Sequence, residues 1–203
     1  MNQDLIKNNY LVLRNFIPAD TAKVLADDFT NLEKEVEFSD DEGWCGNAVS
    51  WNNTPVQLAL LCDVCSRVSE ICGESLLPTY VYGRIYKKDS VLVKHSDRAA
   101  CEVSLTLHLY GDKEWDFCVG TPYYENHCVT LYPGDAMLYL GCVAEHWRDQ
   151  PYTGEKYIQY FLHYVRAFGY CQGAYFDNGE KEYKKLDRLA LSNILKKEYY
   201  ELR

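Results

Sequence analysis

The sequence predicts a mainly β protein with flanking helices (α+β), built on a double-stranded β-helix, the jelly roll of cupin-like proteins. Three observations carry that reading. Short segments rich in Val, Tyr, Thr and Leu recur from Leu77 to Val165, divided by turn residues. Their spacing suits a jelly roll or small barrel, with none of the strand–helix alternation of βαβ units. Segments of helical periodicity stand before and after them.

With 203 residues, 47% of them hydrophobic and 25% charged, the chain has enough apolar side chain for one core. No internal repeat or Pro/Gly/Ser linker divides it, so one domain is expected over residues 1–203. Residues 1–76 read as helical support, 77–166 as the β core and 167–203 as a closing helix.

The first helix starts at the Pro18-Ala19-Asp20 turn, after the extended piece Tyr10-Leu11-Val12-Leu13, and runs through Val24, Leu25 and Phe29. A polar loop is expected from Ser39 to Pro55, carrying Trp44 and Trp51, an unusual load for a connector. A second helix spans Val56 to Cys72, with Cys65 and Cys72 on its core face. Strands are expected at Thr79–Tyr86, Val91–Asp97, Val103–Tyr110, Cys128–Tyr132, Ala136–Gly141 and Lys156–Val165, and a loop over Lys113–His127. Glu180 to Leu202 closes the chain as a surface helix, its stripe formed by Leu186, Leu189 or Ala190, Ile194 and Leu195.

Charge and cysteine content narrow the function. A formal net charge of −9 repels phosphate, so neither nucleic acid nor an anionic membrane is an expected partner, and a neutral or basic substrate is mildly favoured. No apolar run approaches the roughly 20 residues that cross a bilayer. Met1-Asn2-Gln3-Asp4 lacks the layout of a signal peptide, which leads to the expectation of a cytoplasmic protein. Nine cysteines, an odd number, are then read as reduced thiols without a disulfide framework.

The segment Val91-Leu92-Val93-Lys94-His95-Ser96-Asp97 carries the chemistry. Residues two apart on a strand point the same way, so the His95 imidazole and the Asp97 carboxylate project together. His146 follows 51 residues after His95. Two imidazoles and one carboxylate on one face of an octahedron leave three positions open, as in non-haem Fe(II) oxygenases. Lys156, ten residues beyond His146, is a suitable fixed cation for the far end of a dicarboxylate chelating that metal.

At this point the chain resembles the Fe(II)/2-oxoglutarate-dependent dioxygenases, in their prolyl 4-hydroxylase-like branch, over about Tyr10 to Val165. Arg84-Ile85-Tyr86, a short loop and His95-Ser96-Asp97 are similar to the family's strand, turn and metal motif. Ser104 to Tyr110 is similar to the strand that follows, and Tyr132-Pro133-Gly134-Asp135 to a proline–glycine turn. His146 with Pro151, Gly154 and Lys156 is similar to the distal histidine segment.

The resemblance implies that His95, Asp97 and His146 bind Fe(II) and that Lys156, Tyr86 and His108 contact 2-oxoglutarate, His108 standing where several relatives have a tyrosine. The implied reaction consumes dioxygen, with ascorbate as an auxiliary reductant. It hydroxylates an unactivated C–H bond of a peptide, a peptidyl proline among the choices, or of a small molecule, and releases succinate and carbon dioxide. Trp147 and Arg148 are candidates for substrate contact at the rim.

Strand parity adds an expectation of its own. If Lys156 points into the barrel, so do Ile158, Tyr160, Leu162 and Tyr164, and His163 points away. A cupin-like protein that binds a metal or small molecule without oxygen chemistry is the alternative, as fold alone separates neither.

Overall fold

The computed structural model describes residues 1–40, 42–177, 183 and 187–201. Among these residues eleven strands form two antiparallel sheets. They are β1 (Tyr10–Leu13), β2 (Ser39–Asp40), β3 (Ala48–Asn52), β4 (Leu76–Lys87), β5 (Leu92–His95), β6 (Val103–Gly111), β7 (Phe117–Gly120), β8 (Asn126–Val129), β9 (Ala136–Tyr139), β10 (His146–Arg148) and β11 (Lys156–Arg166). The large sheet runs β1-β9-β6-β11-β4-β3-β2 and the small one β5-β10-β7-β8. Helices α1 (Gln3–Asn8), α2 (Ala19–Glu35), α3 (Glu42–Cys45), α4 (Pro55–Cys72) and α5 (Arg188–Lys196) flank them.

Local chemistry sets the boundaries. Thr54 accepts from the Gln57 amide while the Gln57 side chain accepts from the Thr54 amide, a capping box with Pro55 in the first turn of α4. Gly73 ends that helix in the left-handed region. In the Pro133-Gly134-Asp135 turn Gly134 takes φ +92°, and a Cβ there would run into the Ile17 carbonyl.

The large sheet is buried on both faces. On β6, Leu105, Leu107 and Leu109 join the outer cluster packed against the helices, with α2 lying on β6 and α4 on β4. Ser104, Thr106 and His108 alternate with them and are also buried. On β11, Ile158, Tyr160 and Leu162 share the outer cluster. Tyr157 and Phe161 belong to the inner one, with Tyr86, Phe117 and Tyr139. The apolar face of the sheet therefore seats the helices, and the polar and aromatic face lines the barrel.

The structure departs from the sequence reading in four places. Ser39–Pro55 is no loop, since β2 and β3 extend the large sheet and α3 lies between them. Lys113–His127 contains β7 and the start of β8. Cys118 and Cys128 face each other across those two strands and form a disulfide, so the thiols are not all reduced. The last helix begins at Arg188 and buries Leu191 and Leu195, while Leu189 is exposed. The rest of that expectation, including Leu186 and Leu202, falls partly outside the described residues.

Candidate metal centre

β5 and β10 pair so that His95 stands opposite His146. Two residues on from His95, Asp97 is held by its amide, which donates to the Gly141 carbonyl at 2.8 Å. Asp97 Oδ1 lies 3.6 Å from His95 Nε2 and 3.5 Å from His146 Nε2. Donor atoms of the three residues lie within 4.8 Å of one another.

The tautomers follow from the other ring nitrogens. His95 Nδ1 is 2.7 Å from the Val93 carbonyl and His146 Nδ1 is 2.9 Å from that of Ala144. A carbonyl only accepts, so each Nδ1 carries the proton and each Nε2 lone pair faces the other donors, the arrangement metal-binding histidines use. Burial, then the neighbouring His146, pushes His95 down to about 4, which keeps it an unprotonated ligand near neutrality. Burial alone would raise Asp97, but the imidazoles around it, His146 first and then His163 and His95, outweigh burial and hold its carboxyl below the ordinary range.

Behind Asp97 stands a support that the parity argument assigned to the wrong side. Ser104 Oγ donates to Asp97 Oδ2 at 3.2 Å and pairs with His163 Nδ1 at 2.9 Å. His163 lines the cleft, as do Phe161 and Tyr82. Lys156 lies on the opposite face, where its Nζ reaches Thr30 Oγ1 on α2 at 3.5 Å. Alternation fixes which residues of β11 share a side. It cannot tell which side meets the metal when helices bury one face and the second sheet buries the other.

The cation inside the barrel is Arg148. It sits two residues after His146 on the same face of β10 and is 3% exposed. Nη2 donates to Gln159 Oε1 at 2.7 Å and Nη1 to the Trp115 carbonyl. The guanidinium carbon is 4.2 Å from the Trp115 ring centre and 4.5 Å from that of Tyr157. No carboxylate pairs with it among the described residues. Arg148 Nε, Tyr157 Oη and His108 Nδ1 are all buried without a hydrogen-bond partner. His108 stacks on Tyr157 at 4.2 Å. Burial, then the Arg148 charge, pushes His108 down to about 3, so its ring is neutral.

Tyr86 is fully buried, accepts from Arg84 Nη1 at 3.0 Å, and lies 5.7 Å from the Arg148 guanidinium carbon. Tyr86 and His108 thus gather around Arg148, not around Lys156. Trp147 points to the other face of β10, where Lys94 Nζ sits 4.4 Å over its ring, so it is no rim residue of the cleft. The sequence reading missed Ser104, Gly141 and the inward face of His163. The polar set in Ser104-Leu105-Thr106-Leu107-His108 was the available signal.

No protein-family model matches the sequence, and neither does any curated protein. Solved structures do match by fold. A prolyl-4-hydroxylase from Pseudomonas putida superposes with a TM-score of 0.66 at 18% identity, over 80% of this chain and 95% of that one. HygX from Streptomyces hygroscopicus, with nickel, 2-oxoglutarate and hygromycin B bound, gives 0.65 at 13% identity over 83% and 88%. The carbocyclase SnoK from nogalamycin biosynthesis, dependent on alpha-ketoglutarate, gives 0.67 at 10% identity over 92% and 91%. The chain therefore has the double-stranded β-helix fold of these oxygenase-type structures. At such identities the likeness extends to the fold alone.

Proposed function

We propose that this protein is an Fe(II)/2-oxoglutarate-dependent dioxygenase that hydroxylates an unactivated C–H bond. The observation that carries the reading is the convergence of His95, Asp97 and His146 in a barrel whose interior also holds the buried Arg148 guanidinium, which has no carboxylate partner among the described residues. The three donors suit a ferrous ion in type and number, and they leave coordination positions for other ligands. An unpaired buried charge costs several kcal/mol, roughly, and an incoming carboxylate would offset that cost. It would also satisfy orphaned donors beside it.

Arg148 therefore replaces Lys156 as the residue proposed to hold the remote carboxylate of 2-oxoglutarate, with Tyr157, His108 and Tyr86 around it. When bound, iron and 2-oxoglutarate supply oxygen activation and two electrons, with succinate and carbon dioxide as products. The chain supplies orientation and dryness. Ser104 holds Asp97, the Val93 and Ala144 carbonyls fix the imidazoles, and the aromatic wall of Phe117, Tyr139 and Trp115 keeps water from the reacting atoms. A prolyl-4-hydroxylase, a protein with hygromycin B bound and a carbocyclase share this fold, so prolyl hydroxylation does not transfer with it.

Anaerobic addition of Fe(II) and 2-oxoglutarate tests this. A visible metal-to-ligand absorption band is expected, lost in His95→Ala, while Arg148→Met weakens 2-oxoglutarate by about ten- to a hundredfold. Metal uptake with no 2-oxoglutarate binding would instead identify a cupin-like metal-binding protein.

A further inference from the structure

The chain carries a formal net charge of −9, yet the charged side chains lining the cleft, apart from the ligand Asp97 and the histidines, are the arginines Arg84, Arg98 and Arg188. Arg98 is matched by a two-point ion pair with Asp177 at 2.6 and 3.0 Å. For Arg188 no such pair stands among the described residues. Its Nη1 donates to the Ser96 carbonyl at 2.8 Å, and its guanidinium carbon lies 5.0 Å over the Trp44 ring.

Its position is specific. Ser96 separates the two ligands His95 and Asp97 in the chain, and the Trp44 ring is 5.3 Å from that of His95. A guanidinium is thus tied down beside the metal ligands, with most of its five N–H donors left over. The cleft holds about 350 Å³ and its remaining wall is aromatic apart from Leu92 and Cys101, a size that suits a small molecule.

We propose that the primary substrate is a small molecule with an apolar or planar body and one oxyanionic group, a carboxylate or phosphate, which Arg188 binds at the mouth of the cleft. This rests on the oxygenase reading, in which Arg148 is already engaged by the co-substrate. It reverses the preference suggested by net charge, because a −9 total describes the surface and the local field in the cleft is set by its own lining.

The test compares nearly isosteric probes on metal-free full-length protein by calorimetry: benzoate and phenyl phosphate, benzamide, and benzylamine. Benzoate or phenyl phosphate is expected to bind at least about tenfold more tightly than benzamide, with benzylamine weakest. Arg188→Gln should abolish the preference, Arg188→Lys should retain part of it, and Arg148→Met should leave it in place. Equal binding of all probes, no binding of any, or a preference untouched by Arg188→Gln would overturn the proposal. Neither iron nor 2-oxoglutarate enters the measurement, so its failure is distinct from failure of the oxygenase reading.

Discussion

Asp97 occupies the space that the missing side chain of Gly141 leaves open. The Asp97 amide donates to the Gly141 carbonyl, and a Cβ built at 141 would stand 2.6 Å from Asp97 Oδ2 and 2.8 Å from Ser104 Oγ. It would come closer still to the Cys101 carbonyl, which is backbone and cannot swing away. The glycine is therefore a condition of the metal centre, although it bears no donor.

Gly141→Ala is accordingly expected to weaken metal affinity by about ten- to a hundredfold and to destabilise the fold by about 1–3 kcal/mol through overpacking. Titration with Co(II) and thermal unfolding would measure both. Unchanged cobalt affinity would show that Asp97 does not need this cradle.

Lys156 and Arg148 make opposite predictions. Lys156 faces α2, so Lys156→Met should leave the dissociation constant of 2-oxoglutarate within about twofold of the wild type, whereas Arg148→Met should raise it by at least about tenfold. The anaerobic absorption band, titrated with 2-oxoglutarate, reads both. A large loss in Lys156→Met alone would return the anchor to the outer face and refute the arrangement described here.

Acid should destabilise the metal-free protein in a defined window. Burial holds His163 at about 4 and His108 at about 3 in the folded state. Both would titrate near 6.5 when unfolded, so below that pH the unfolded chain binds more protons and stability falls with falling pH. The loss should begin near pH 6.5, continue toward pH 4, and amount to a few kcal/mol, roughly. Chemical denaturation at a series of pH values checks it, and His163→Gln should flatten the slope.

The terminal segment is tied to the core by a buried pair. Arg166 Nε donates to Glu102 Oε1 at 2.7 Å, and Tyr199 Oη donates to the same oxygen at 2.9 Å. Glu102→Ala removes the buried partner of Arg166 Nε, leaves the guanidinium only Glu198 at 2.8 Å from Nη2, and should cost about 3 kcal/mol, while Glu102→Gln keeps an acceptor and should cost less. Urea unfolding of the two variants gives the comparison.

What the sequence determined by itself was the set of strands from β4 to β11, apart from β7 and β10, and the His95, Asp97 and His146 spacing. Both are local: period-two alternation and short motifs survive in the linear chain because neighbouring residues alone impose them. The tertiary structure decided which side of each strand meets the metal. β11 is buried on nearly every residue because helices cover one face and the second sheet the other, so its pattern carries no inside or outside. That ambiguity put Lys156 in the barrel and turned His163 out of it. Arg148 could be named as a candidate but not given its place, since its burial among Trp115, Phe117 and Tyr157 is a property of packing. The arginines of the cleft come from β4, from the segment after Asp97 and from the start of α5, and only folding brings them together.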